Sequence, residues 1–260
     1  MQLAAQLYTV RQLTTTAEGF EECLRRCSEI GYAGVQVSAV GSMTGPEPTV
    51  TAVQAREWLD RYNLSCCATH VAWNRLTTEF DKVVTEHKIL GCTYIALGSL
   101  GSDFGPAPEN YRRFLEEAEP VARALKEQGI RFGYHNHSHE FIRDPASGRP
   151  AIDLLVGNAL DWLDLEVDTY WVAHAGASPA TFLRRATGRL WAVHLKDMEV
   201  VAGEGPVMAP VGEGNLDWPE ILDACQTGGT EWLIVEQDTC RRDPFDCLAS
   251  SYRFLSASIA

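Results

Sequence analysis

The sequence predicts an α/β fold, a single (β/α)8 TIM barrel. Three observations predict it. Short apolar or β-branched runs alternate with longer amphipathic segments along the whole chain. Successive runs start about 25 to 45 residues apart, roughly the size of one βα unit. The 260 residues are many for an ordinary domain but usual for one barrel of this kind.

The elements follow in order. The run Gln2–Gln6 predicts the first strand. A Thr-rich cap region then opens a helix over Thr14–Ile30, with Phe20, Cys23, Leu24 and Cys27 at helical spacing and Gly31 as its stop. Strands are predicted over Ala33–Val37, Leu64–His70 and Thr93–Leu97. Pro108–Gln128 is a long amphipathic stretch that ends at Gly129, and Arg131–His137 reads as the fifth strand. Leu163–Asp168 is the sixth. Ser178-Pro179 caps a helix over Ala180–Arg185, with Pro in the first turn. Leu190–Leu195 is the seventh strand. Asp217-Trp218-Pro219-Glu220 opens another helix, and Leu233–Glu236 is the eighth strand. Asp243-Pro244 opens the last helix, along which Phe245, Leu248, Tyr252 and Leu255 recur at helical spacing.

No low-complexity segment or linker divides the chain, so residues 1–260 read as one domain. The least regular stretches are Ser38–Pro48, Gly98–Pro108 and Glu199–Gly214. Each follows a predicted strand, where longer βα loops of a barrel build active sites.

The formal net charge of −13 opposes a nucleic-acid or anionic-membrane surface, which needs clustered Lys and Arg. The eight cysteines form no CxxC pair, and Cys66-Cys67 and Cys92 lie in apolar runs. Most of them read as buried thiols in a reducing compartment. The first residues, MQLAAQLYTVRQ, lack a basic stretch followed by a long apolar one, and no apolar run approaches the roughly 20 residues of a membrane span. The expected location is cytoplasmic.

In such a barrel the chemistry sits at the C-terminal ends of the strands. Those ends supply Gln6 and Tyr8, Gln36, His70, the cluster His135 to Glu140, Asp168, His194 with Lys196, and Glu236. A lone carboxylate at such a place is ordinarily a helix cap or an ion-pair partner. Here LDLEVD, WAVHLKD, WLIVEQD and RFGYHNHSHEF deliver carboxylates and imidazoles from four adjacent strands. That convergence predicts a site for one divalent ion, manganese first, with magnesium, cobalt or zinc as alternatives. His87, on a predicted helix, is expected at the surface, and Lys196 and Asp197 also fit a solvated loop pair.

The stretches AAQLYTVR, GYAGVQV, GYHNHSHEF, DTYWVAHAGASP, VHLKDM, VGEGNLDWPEIL and IVEQD resemble the sugar phosphate isomerase/epimerase family of xylose isomerase-like barrels. That family includes ketose 3-epimerases, hydroxypyruvate isomerases and inosose dehydratases, with endonuclease IV as a more distant relative. The resemblance implies a metal held by Glu, Asp, His and Glu from the last four strands. Asp168, His194 and Glu236 match three of these. The strand-five position departs from the pattern, because His135 stands where many relatives carry Glu. Either His135 replaces that carboxylate or Glu140 supplies it; Glu140 is favoured, since a third carboxylate better neutralises a divalent ion.

The implied activity is that of a metal-dependent sugar isomerase or epimerase. A proton leaves the carbon next to a metal-bound carbonyl, through an enediolate. A lyase or dehydratase acting on a 3-keto sugar, glycoside or inosose is the alternative, and the histidines at strand five favour it. His135, His137, Lys196 and Glu236 are the candidate catalytic groups. Tyr8, His70, Trp73 and Trp171 are candidate walls for a sugar ring. The expected partner is a small sugar, with no nucleic acid or membrane, in a chain that fits a homo-oligomer. A phosphodiesterase would need more histidines around the barrel and a basic face, and a decayed binding protein would not keep Asp168, His194 and Glu236.

Overall fold

In a computed structural model, residues 1–101, 104–157 and 160–259 are described. Among them, eight parallel strands close into a barrel. They are β1 (Gln2–Gln6), β2 (Gly34–Val37), β3 (Ser65–His70), β4 (Tyr94–Leu97), β5 (Arg131–His135), β6 (Asp164–Asp168), β7 (Ala192–Leu195) and β10 (Trp232–Val235). β10 pairs with both β7 and β1, which seals the ring. Every predicted strand is present within two residues of its expected ends.

The helices run outside. The larger ones are α1 (Ala17–Ile30), α3 (Ala52–Arg61), α5 (Phe80–Leu90), α6 (Glu109–Glu127), α10 (Trp218–Gly228) and α11 (Pro244–Ser258). Shorter ones are α2 (Gly41–Thr44), α4 (Trp73–Thr78), α7 (Asp153–Val156), α8 (Thr169–His174) and α9 (Pro179–Arg185). Their starts follow the capping chemistry of the sequence. The Thr16 hydroxyl accepts the Gly19 N–H at 3.1 Å, and Ser178, Asp217 and Asp243 cap α9, α10 and α11, each followed by Pro in the first turn. No helix among the described residues is long and apolar enough to cross a membrane.

Inside the barrel the alternation of strand side chains makes layers. The lower layer is apolar, built from Ala4, Cys67, Tyr94, Ala192, Trp232 and Ile234. Gly34 and Gly133 leave room for its two large rings. A Cβ at Gly34 would meet the Trp232 ring at 2.9 Å, and one at Gly133 would meet the Tyr94 hydroxyl at 2.0 Å. Further along the strands inward positions become polar: Gln6, Gln36, His70, His135, Glu166, His194 and Glu236. The fold thus puts a packed plug beneath a buried polar floor.

Three expectations are corrected. The stretch Glu199–Gly214 is not irregular throughout. It contains most of an antiparallel hairpin, β8 (Asp197–Val201) with β9 (Gly205–Ala209), whose register pairs Asp197 with Ala209. His87 is not at the surface. It is 3% exposed, on the inner face of α5. Val83 O accepts from its Nδ1–H at 2.7 Å, and its Nε2 accepts from the Thr69 hydroxyl at 2.7 Å. Lys196 and Asp197 are both buried rather than solvated. Asp197 accepts the N–H groups of Gly212, Gly214 and Leu216 and the Trp218 indole N–H, the last at 2.6 Å. A Cβ on Gly214 would lie 2.3 Å from the Asp197 carboxylate. The motif VGEGNLDWPEIL is therefore a loop wrapped around one buried carboxylate. All eight cysteines are free thiols, and all but Cys240 are buried.

Candidate metal centre at the barrel mouth

Ligand atoms of His135 (β5), Asp168 (end of β6), His194 (β7) and Glu236 (just past β10) lie within 4.8 Å of one another, and all four residues are buried. Asp168 also caps α8, because one of its oxygens accepts the Trp171 N–H at 3.0 Å. Its other oxygen, Oδ2, lies 2.9 Å from Lys196 Nζ yet accepts no well-directed hydrogen bond. Two carboxylates and two imidazoles, one carboxylate oxygen short of a good donor, form a donor set that suits a borderline divalent ion.

Glu140 stands apart from this group. Its carboxylate accepts from the Tyr134 hydroxyl at 2.8 Å and from the His137 N–H at 2.8 Å, and His139 Nε2 is 3.1 Å away. The strand-five member that the fold brings to Asp168, His194 and Glu236 is His135.

Beneath the group lies Glu166, in the middle of β6 and without solvent exposure. Its Oε2 is 2.5 Å from His70 Nε2, 3.2 Å from His194 Nε2 and 3.3 Å from His135 Nδ1. Its Oε1 accepts from Gln36 Nε2 at 3.0 Å. His194 is bracketed, with Nδ1 2.8 Å from Glu236 and Nε2 2.6 Å from Gln36 Oε1. Glu166 stands inside its strand rather than at the end, so the strand-end rule does not single it out. The available signal was the alternation in DLEVD, which turns Asp164, Glu166 and Asp168 to one side.

Lys196 is 1% exposed, and its ammonium lies 2.9 Å from Asp168, 3.0 Å from Glu236 and 3.0 Å from Asp238. Burial disfavours its charge, but those three carboxylates outweigh burial and hold it protonated. Burial likewise pulls on His194, yet Glu166 and Glu236 lift its pKa to about 10. Burial pushes Asp168 up to about 6, against the pull of Lys196. His137 is pushed down to about 4 by burial, so its imidazole is neutral.

A cavity of about 220 Å³ opens above this floor, lined in part by Tyr8, His70, His135, His137, Lys196 and Glu236. The predicted walls Tyr8 and His70 thus reach the cavity. Trp171 lies behind His137, with ring centroids 5.5 Å apart. Trp73 packs instead against Phe104 and Phe114, at 5.8 and 5.9 Å.

A closed barrel with clustered carboxylates and imidazoles at its C-terminal mouth defines an α/β-barrel protein equipped to hold a metal. The chain belongs to the xylose isomerase-like TIM barrel family, which matches residues 24–256. Members of that family are sugar-modifying enzymes. The chain is 23% identical over 273 residues to an inosose dehydratase of Bacillus thuringiensis, covering 91% of this chain and 88% of that protein. Among solved structures it resembles a sugar phosphate isomerase/epimerase from Parabacteroides distasonis, with a TM-score of 0.78, 21% identity, and coverage of 99% of this chain and 94% of the other. It also resembles the IolI protein with a bound zinc atom, with a TM-score of 0.75, 16% identity, and coverage of 100% and 98%. At these identities the structural likenesses show the fold.

Proposed function

We propose that this protein is a metal-dependent lyase. It removes a proton next to the ketone of a keto-sugar or cyclitol and expels the oxygen substituent one carbon further on. His135, Asp168, His194 and Glu236 would hold the ion, with His135 rather than Glu140 as the strand-five ligand. A divalent ion bound there would draw charge toward the ketone oxygen and acidify the adjacent C–H.

The protein's own groups carry the proton. His137 is neutral, and its buried Nδ1 has no hydrogen-bond partner. It takes the proton from carbon. The C–H electron pair becomes the new C=C bond, and the C–O bond breaks with its pair going to oxygen. The imidazolium of His137 then gives the proton to that departing oxygen, so the site returns to its starting state. Lys196 sets a fixed positive charge in the same wall, where it stabilises negative charge on the substrate. Tyr8 and His70 border the ring.

The observation that carries this reading is the imidazole at strand five. The resemblance to ketose epimerases implies a pair of metal-bound glutamates for proton transfer, and Glu140 is turned away to Tyr134. Isomerisation or epimerisation is the second reading. It is favoured by the two imidazoles, His70 and His137, that flank His135 with ring centroids 5.1 and 4.9 Å from it.

Proton NMR in D₂O tests the two. The manganese-loaded protein is given an inosose and a set of 3-keto glucosides. Elimination predicts a new enone and released water or alcohol. Solvent deuterium entering an otherwise intact sugar would overturn elimination in favour of epimerisation, and no exchange at all would overturn both.

A further inference from the structure

The central cavity is small. At about 220 Å³ it falls below the roughly 300–1,000 Å³ of ordinary ligand pockets, and it suits a single sugar ring. A second cavity of about 830 Å³ runs between the α2–α3 side and the α4–α5 side, and Ala39 and His70 line both. The two spaces therefore adjoin at Ala39 and His70.

Its lining is mostly apolar, including Val40, Met43, Val50, Val53, Ala72 and Ile89. Val53, also in this lining, is 51% exposed. The charged groups in its lining satisfy one another. Arg75 pairs with Glu86 and reaches Glu79 at 3.7 Å, and Lys82 pairs with Glu79 at 3.0 Å. His87 is fully bonded to Thr69 and Val83. The groove thus presents apolar surface and no unpaired cation to receive a phosphate.

We propose that this groove is the subsite for an uncharged, apolar leaving group, so that the substrate is a keto-glycoside with an aryl or similar apolar aglycone rather than a free sugar or a sugar phosphate. The leaving-group role rests on the elimination reading above. With the ring over His135 and Lys196, a substituent passing between Ala39 and His70 enters the groove. Elimination then frees it there as the alcohol.

Calorimetric titration of the purified protein with phenyl β-glucoside, methyl β-glucoside and glucose 6-phosphate tests the subsite. These unoxidised compounds have no ketone and do not eliminate, so the result is independent of the reaction. Phenyl glucoside is expected to bind at least tenfold tighter than methyl glucoside. That ratio should fall toward one in Met43→Trp, which fills the groove, and in Val53→Arg, whose exposed position tolerates the change should the first variant fail to fold. A ratio near one in the wild type, tighter binding of the phosphate, or a ratio that survives both substitutions would overturn the proposal. The 3-keto phenyl glucoside is then assayed for phenol release. Preferred aryl binding without phenol release would overturn elimination and leave the subsite standing.

Discussion

Glu166→Gln separates the role of the buried carboxylate from that of the proposed ligands above it. Glu166 Oε2 faces nitrogens of His70, His135 and His194 at once, while Oε1 receives the Gln36 amide. In the variant an amide replaces the carboxylate, so either its NH₂ faces three imidazole nitrogens or it faces the Gln36 donor. Two of those imidazoles would hold the ion through their opposite nitrogens. Loss of such a supporting carboxylate typically costs about 10–100-fold in metal affinity. A stability term adds to this. Removing one partner from a buried charged cluster costs about 3–5 kcal/mol. For a chain of this size that corresponds to roughly 6–20 °C in Tm. The assay is competition for zinc or cobalt against a chromophoric chelator, beside thermal melts of the metal-free protein. Metal affinity within twofold of wild type, in a variant that folds, would refute the idea that Glu166 orients the ligands.

Two further predictions rest on buried charge. Lys196→Met leaves Asp168, Glu236 and Asp238 without their shared cation, so the metal-free variant should lose about 3–5 kcal/mol at neutral pH and regain much of it when manganese is added. Melts with and without manganese check it, and an equal metal-induced shift in wild type and variant would refute it. His87 is neutral and doubly bonded in the fold, and burial holds its pKa below the usual 6.5. The unfolded chain therefore binds this proton first as pH falls. The stability that neutral His87 contributes is complete above pH 6.5 and is lost below it, toward the depressed folded pKa, at up to about 1.4 kcal/mol per pH unit. The stability difference between wild type and His87→Gln should shrink from pH 7 to pH 5, and a difference that stays constant would refute the assignment.

The barrel was legible because its strands are short, apolar and β-branched between well-capped helices, and that pattern survives without any knowledge of contacts. The hairpin after β7 was not. AGEGP carries turn residues, and the flanking strands are half solvated, so neither the apolar run of a barrel strand nor a clean alternation marks them. His87 was misplaced because a lone histidine was read by its polarity. Its position with Val83, Val84 and Leu90 on the inner face of α5 already put it on the buried side.

Three members of the proposed metal group, Asp168, His194 and Glu236, stand at strand ends in the sequence, and the choice of the fourth turns on strand parity. Gly133 and His135 share a parity, and Gly133 faces the Tyr94 hydroxyl in the barrel's interior. His135 must therefore point inward as well. Tyr134 has the opposite parity and packs in the layer between sheet and helices, where its ring meets Tyr111 and Phe114. Once β5 ends, the chain turns through His139 to Phe141, and the Tyr134 hydroxyl lies within reach of Glu140. A third carboxylate would better neutralise an ion, but here the Glu140 carboxylate is engaged by a phenol on the far side of the strand. The same alternation on β6 turns Glu166, two residues before Asp168, inward beneath the proposed ligands.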